Sequence, residues 1–271
     1  MLTDLDQKNN IYRAFGIVVL SLLFALITGA GLVSVLKVLL PNIEPTTISL
    51  ISMLVSSLFI GLPVIIYLRF NGLPIRKYLR INRISVNTLF SIILISIGFV
   101  IIVDELDRIV YILFGGPEFL QELVEQLKII SIGNGFIIIL TTAIVAPIVE
   151  EMLFRGYLQK VLEESWKDIT KAILVTSIFF ALVHLNPYWI VQIYLLGLVL
   201  GYLVWRTNSI IPSIILHALN NGFAVALNNA EDVFNQYYIW YKHVSPLWVF
   251  IAIVLIILGF KMLNKDLENQ S

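Results

Sequence analysis

Three polar sets interrupt an otherwise apolar chain: Glu150-Glu151 with Arg155, Phe180 with His184, and His217 with Asn221. Adjacent carboxylates on a helix point about 100° apart, so Glu150 and Glu151 cannot share one role. Arg155 lies one turn beyond Glu151 on the same face, where an ion pair can form. Glu150 is left on a different face without a local partner. Pro147, just upstream, removes a backbone hydrogen bond and can kink the helix where that carboxylate is presented. His184 follows Phe180 by one turn inside an apolar run, and His217 and Asn221 share a helical face from which Asn220 turns away. A glutamate, two histidines and an asparagine converging between helices could activate water: Glu as general base, His to orient or ligate, His and Asn to donate to an oxyanion. Each set also has a plain structural reading. The glutamates could be solvated at the inner interface with Arg155 as an anchor, His184 a packing residue, and His217 and Asn221 interhelical hydrogen bonders worth about 0.6 kcal/mol. The remaining histidine, His243, reads as a surface residue in an outer loop.

The elements that must position these residues are membrane helices. Of 271 residues, 59% are hydrophobic and 13% charged, with mean hydropathy +0.92, which argues against a soluble domain. The absence of cysteine excludes a thiolate nucleophile, a thiolate metal site and a disulfide framework. Eighteen basic and 18 acidic side chains leave no net charge, which makes nucleic acid an unsuitable partner. A bilayer-crossing helix needs about 20 apolar residues, and eight such stretches are predicted: 14–36, 46–68, 86–103, 134–155, 171–186, 188–205, 209–229 and 244–262. The first lacks a small-residue cleavage pattern and reads as a retained span. The fold expected is all-α and polytopic, with residues 1–271 forming a single integral membrane domain.

Basic residues set the orientation. Arg69, Arg76, Lys77, Arg80 and Arg83 lie between spans two and three with no acidic residue, marking that loop and both termini as cytoplasmic. Lys8, Arg13, Arg155, Lys160, Lys167, Lys171, Arg206, Lys261 and Lys265 fall on the same side, against Lys37, Arg108, Lys128 and Lys242 outside. Aromatics at span ends, among them Trp166, Trp189, Trp205 and Trp248, suit interfacial anchoring. The outer loop Asp104 to Gly133 carries an amphipathic pattern (Phe119, Leu120, Leu123, Val124, Leu127, Ile130) that predicts a surface helix. Depth is less orderly. His184 lies 13 residues past Lys171, about 20 Å at 1.5 Å per residue, whereas His217, eight residues past Ser209, lies about 12 Å deep.

Glu150-Glu151-x-x-x-Arg155, Phe180-x-x-x-His184 and His217-x-x-x-Asn221, in this order on separate helices, resemble the motifs of the CPBP family. These are the CAAX protease and bacteriocin-processing intramembrane endopeptidases, also called the Abi family. The flanks Phe154-Arg155-Gly156 and Gly201 to Thr207 are similar too, and the resemblance marks residues 139–228 as the motif-bearing core. It implies proteolysis of a membrane-associated protein or peptide inside a membrane, near its cytoplasmic face, in a bacterial plasma membrane. By motif, Glu150 would activate water with His184, His217 and Asn221 would stabilise the oxyanion, and Glu151 and Arg155, with Phe180, would support them. The family has been described both as metalloproteases and as glutamic proteases. Glu150, His184 and His217 could supply three zinc ligands with water as the fourth, yet the HExxH helix is absent. Two further classes compete: a non-proteolytic scaffold or bacteriocin self-immunity protein on the same fold, and a small-solute transporter, which predicts inverted repeats not evident here.

Overall fold

The computed structural model describes residues 4–116, 125 and 127–270. Ten helices follow in order among these residues: α1 (Asp4–Leu39), α2 (Pro45–Phe70), α3 (Ile75–Tyr78), α4 (Val86–Phe114), α5 (Ile132–Trp166), α6 (Ile169–Val183), α7 (Ile190–Thr207), α8 (Ile211–Asn229), α9 (Glu231–Tyr237) and α10 (Pro246–Glu268). Between α9 and α10 a small antiparallel ribbon pairs Ile239 with Val244 and Trp240 with His243. The protein is an all-α polytopic membrane protein.

Helices occupy all eight predicted spans, and six are long and apolar enough to cross a bilayer: Lys8–Leu39, α2, α4, α5, α7 and α10. The two exceptions carry the histidines. Helix α6 has only 15 residues and ends at Val183, so His184 caps it where an uninterrupted span to 186 was expected. Helix α8 is long enough at 19 residues, but His217, Asn220, Asn221, Asn228 and Asn229 dilute its apolar content. A second correction concerns the outer loop. Asp104 to Phe114 continues α4 as helix, because the run Leu106, Ile109, Val110, Leu113 sustains its apolar face. The amphipathic helix expected from Phe119 to Ile130 falls largely on residues 117–124 and 126, outside the described residues.

Contacts between loops sort the bundle into two ends. At one, Arg80 forms an ion pair with Glu163, Ile210 N–H donates to the Arg80 carbonyl, and Ser209 Oγ donates to the Asn82 carbonyl at 2.7 Å. Asp266 of α10 joins this end by accepting from Ser85 and Thr88 of α4. At the other, Asn229 Nδ2 donates to the Leu127 carbonyl, and Glu105 accepts from His243 and Val244 N–H. The first end holds the five-cation loop.

The core has two main parts. One packs Val64, Leu68, Leu153, Phe154, Leu158 and Phe180 from α2, α5 and α6. The other packs Ile92, Ile95, Leu196, Leu200, Leu216 and Leu263 from α4, α7, α8 and α10. Lipid tails are as apolar as these side chains, so close packing and interhelical hydrogen bonds hold the helices together. Gly156 shows this, since a Cβ there would stand 2.9 Å from the Leu79 carbonyl oxygen. That contact explains why a glycine follows Arg155.

Candidate active site

Helix α5 is not uniformly α-helical. Leu140–Val145 and Met152–Gln159 are π-helical, and Glu150 and Glu151 sit in the α-helical segment between them. In the first π stretch Ala146 N–H bonds to the Thr141 carbonyl, five residues back. By the same step the Thr142 carbonyl should receive an N–H from residue 147, which is Pro147 and has none. Asn221 of α8 fills the vacancy: its Nδ2 donates to the Thr142 carbonyl at 2.9 Å. Proline thus creates an unpaired acceptor within the membrane, and a motif residue from another helix satisfies it.

The two carboxylates divide as their helical faces require. Glu151 is fully buried and accepts from Arg155 Nη1 at 2.9 Å, with Arg155 fully buried as well. Arg155 is therefore an internal partner and not an interfacial anchor, which removes it from the positive-inside tally. The guanidinium also lies 4.0 Å from the centroid of Phe180. On the other side, His217 Nδ1–H donates to the same Glu151 Oε1 at 2.9 Å. That bond turns Nε2 of His217 toward Glu150, whose Oε2 is 3.8 Å away. The Glu150 side chain keeps 18% of its surface exposed. Glu150 has no partner on its own helix, as its face required, and the group nearest it comes from α8.

Phe180 is the hub. Fully buried itself, it meets His184 edge-on at 4.8 Å and His217 at 5.8 Å between centroids. His184 Nδ1–H donates to the Phe180 carbonyl at 2.7 Å, which draws the ring back one turn and leaves Nε2 free. This resolves the depth mismatch. Phe180 lies nine residues past Lys171, about 14 Å, close to the level of His217. His184 is exposed, so the site is open on that side.

Glu150, Glu151, Arg155, Phe180, His184 and His217 are therefore gathered around one ring. Asn221 is not joined to His217; one hydrogen of its amide goes to Thr142, and its Oδ1 accepts from Asn220 Nδ2 at 3.3 Å. Its second N–H remains for another acceptor. Sequence reasoning missed the Thr142 carbonyl, for which Pro147 was the available signal.

Nor does zinc fit the trio as placed. Among the described residues no three His, Asp or Glu side chains stand together as a ligand set.

Residues 132–223 match the family model described as type II CAAX prenyl endopeptidase Rce1-like. The UPF0177 protein YxdF of Lactococcus lactis subsp. lactis (strain IL1403) is similar, 33% identical over 95 residues, which cover 34% of this chain and 50% of that protein. The chain thus spans about half the length of the curated relative it matches. No solved structure matches. Residues 132–223 supply every side chain of the site, and over these residues the chain is similar to the Rce1-like type II CAAX prenyl endopeptidase family.

Proposed function

We propose that the protein is an intramembrane endopeptidase that hydrolyses a membrane-associated protein or peptide with water activated at Glu150. The observation that carries this reading is the pair Glu150 Oε2 and His217 Nε2, 3.8 Å apart. That gap is too long for a direct hydrogen bond and suits a small oxygen held between the two. Glu150 takes a proton from the water as its oxygen attacks the scissile carbonyl carbon, and His184 Nε2 orients that water from the open side. The oxyanion that forms is met by Nε2 of His217, whose ring is held by Glu151 through Nδ1, and by the spare N–H of Asn221. Collapse breaks the C–N bond, and Glu150 returns its proton to the leaving amine. Glu151 and Arg155 do not touch the substrate; they fix the His217 ring. The core is residues 139–228 within a single membrane domain, and the five-cation loop with both termini faces the cytoplasm of a bacterial plasma membrane.

The test is Glu150→Gln and His184→Ala in cells, with proteomics of membrane-protein termini. Both substitutions should abolish a shared set of new termini. If every terminus survives both, the non-proteolytic scaffold or self-immunity reading replaces this one.

A further inference from the structure

A cavity of about 1020 Å³ opens between α4, the start of α7, the second half of α8 and the ribbon, at the end of the bundle opposite the five-cation loop. It borders the candidate active site through Asn220, which lines the cavity and donates to Asn221. This volume exceeds what packing tolerates as a defect and is the size of a ligand site.

Its lining has an unusual imbalance. Among the described residues Asp107 Oδ1 and Gln192 Oε1 are buried acceptors with no hydrogen-bond partner, and both residues line the cavity. A buried acceptor left unpaired costs about 1 to 3 kcal/mol, more for a charged one, so such groups ask for a donor. The cavity carries three carboxylates, Asp104, Asp107 and Glu231, against two cations, Arg108 and Lys242. Arg108 Nε is engaged by Asp104 at 3.0 Å, and Glu231 and Lys242 are exposed at the mouth. Among the described residues Asp107 is thus the interior carboxylate without a salt bridge, held on one side by the Trp189 indole N–H and within electrostatic reach of Arg108. Trp189 and Phe223 add aromatic walls, which favour a weakly hydrated cation over a neutral donor.

We propose that this cavity is a subsite for a guanidinium or alkylammonium group, carried by a basic side chain of the peptide that the Glu150 site cleaves. The proposal rests on the endopeptidase reading for its occupant. Asp107 meets the charge, and Trp189 packs on the cation's face. A basic residue seated here places the adjoining backbone along α8 toward Asn221.

The test uses the full chain in detergent, carrying Glu150→Gln so that no probe is cleaved, with intrinsic tryptophan emission as readout. The probes are Ac-Leu-Arg-Leu-NH2, the same peptide with norleucine in place of arginine, and n-butylammonium. The arginine peptide should bind at least about 10-fold tighter than the norleucine peptide, and Asp107→Asn should erase that preference, as expected for one charge-assisted contact. Trp189→Phe should remove the emission change. Equal binding of the two peptides, or an undiminished preference in Asp107→Asn, overturns the proposal. Tight binding of n-butylammonium at the peptide's level overturns the peptide as occupant and makes this a free-amine site. If Asp107→Asn does not fold, the comparison of peptides on the unmodified cavity decides alone. Binding is read without turnover, so failure here leaves the Glu150 reading standing, and unchanged termini in cells leave this measurement valid.

Discussion

The α4–α10 pair and helix α5 are both long and apolar, yet only α5 departs from α-helical hydrogen bonding. In the first region two regular helices approach so closely that a Cβ on Gly98 would stand 2.5 Å from the Ala252 carbonyl oxygen. On the facing helix a Cβ on Gly259 would stand 2.9 Å from the Ser91 carbonyl oxygen. Small residues there exchange side-chain volume for backbone contact, the usual way to join helices in lipid. In α5 the irregularity lies in the backbone, with π turns on both sides of Glu150-Glu151 and a proline that strands a carbonyl. Asn221 of α8 satisfies that carbonyl. A membrane protein can therefore spend uniform packing on rigidity in one place and reserve backbone disruption for the place where polar groups must gather.

That contrast can be broken by substitution. The largest effect belongs to Glu150→Gln, which should lower the rate of terminus formation about 10²- to 10⁴-fold, the scale of general-base loss, while leaving thermal unfolding in detergent nearly unchanged. Comparable activity in the variant would remove Glu150 from the chemistry. Next comes Arg155→Met, which strands the buried Glu151 charge and should cost about 3 to 5 kcal/mol of stability. Restoring most of it with Glu151→Gln in the same chain, measured by unfolding midpoint, distinguishes pairing from packing. Gly98→Ala should cost about 1 to 3 kcal/mol through forced separation of α4 and α10, with the site chemistry preserved in whatever fraction folds. An active-site defect at constant stability would show that the two regions are coupled.

Finer still is the cycle of Pro147→Ala and Asn221→Ala. Alanine at 147 supplies the missing N–H, so Asn221→Ala should cost less in that background, by about 0.5 to 1 kcal/mol. Additive effects would mean that Thr142 does not depend on Asn221 for its partner. The smallest effect is expected from chelation, which should leave the rate within a factor of about two, since no ligand set is assembled. Loss of activity restored by zinc would require the three candidate ligands to rearrange.

Local rules made part of this legible from residues alone. The Glu151–Arg155 pair follows from helical spacing, and the division of labour between adjacent glutamates follows from their 100° offset. The bracket around His217 joins residues 66 positions apart and has no local signature. Each of the eight predicted stretches falls on helix, and six of those helices are long and apolar enough to cross a bilayer, but the prediction misjudged their ends. It stopped α5 at 155, since charged residues beyond read as an interface, whereas Arg155 is buried and helix continues to Trp166. It carried the fifth span to 186, past the turn at Leu185, whose φ of 52° is left-handed. The acceptors of the cavity were not legible at all, because Asp107 reads as a loop charge until α4 is seen to extend beneath it.

Helix α6, 15 residues long, has a consequence for the surrounding lipid. At 1.5 Å per residue it spans about 22 Å, well short of a hydrocarbon layer of about 30 Å. A bilayer that thins to match so short a wall would dimple beside the exposed His184. Headgroups and their hydration shell would thereby be drawn toward the hydrolysis proposed for this site. Acyl-chain length then becomes a control on turnover: reconstitution in shorter-chain lipid should quicken hydrolysis and longer-chain lipid should slow it, and a rate indifferent to thickness would mean that water arrives by another route.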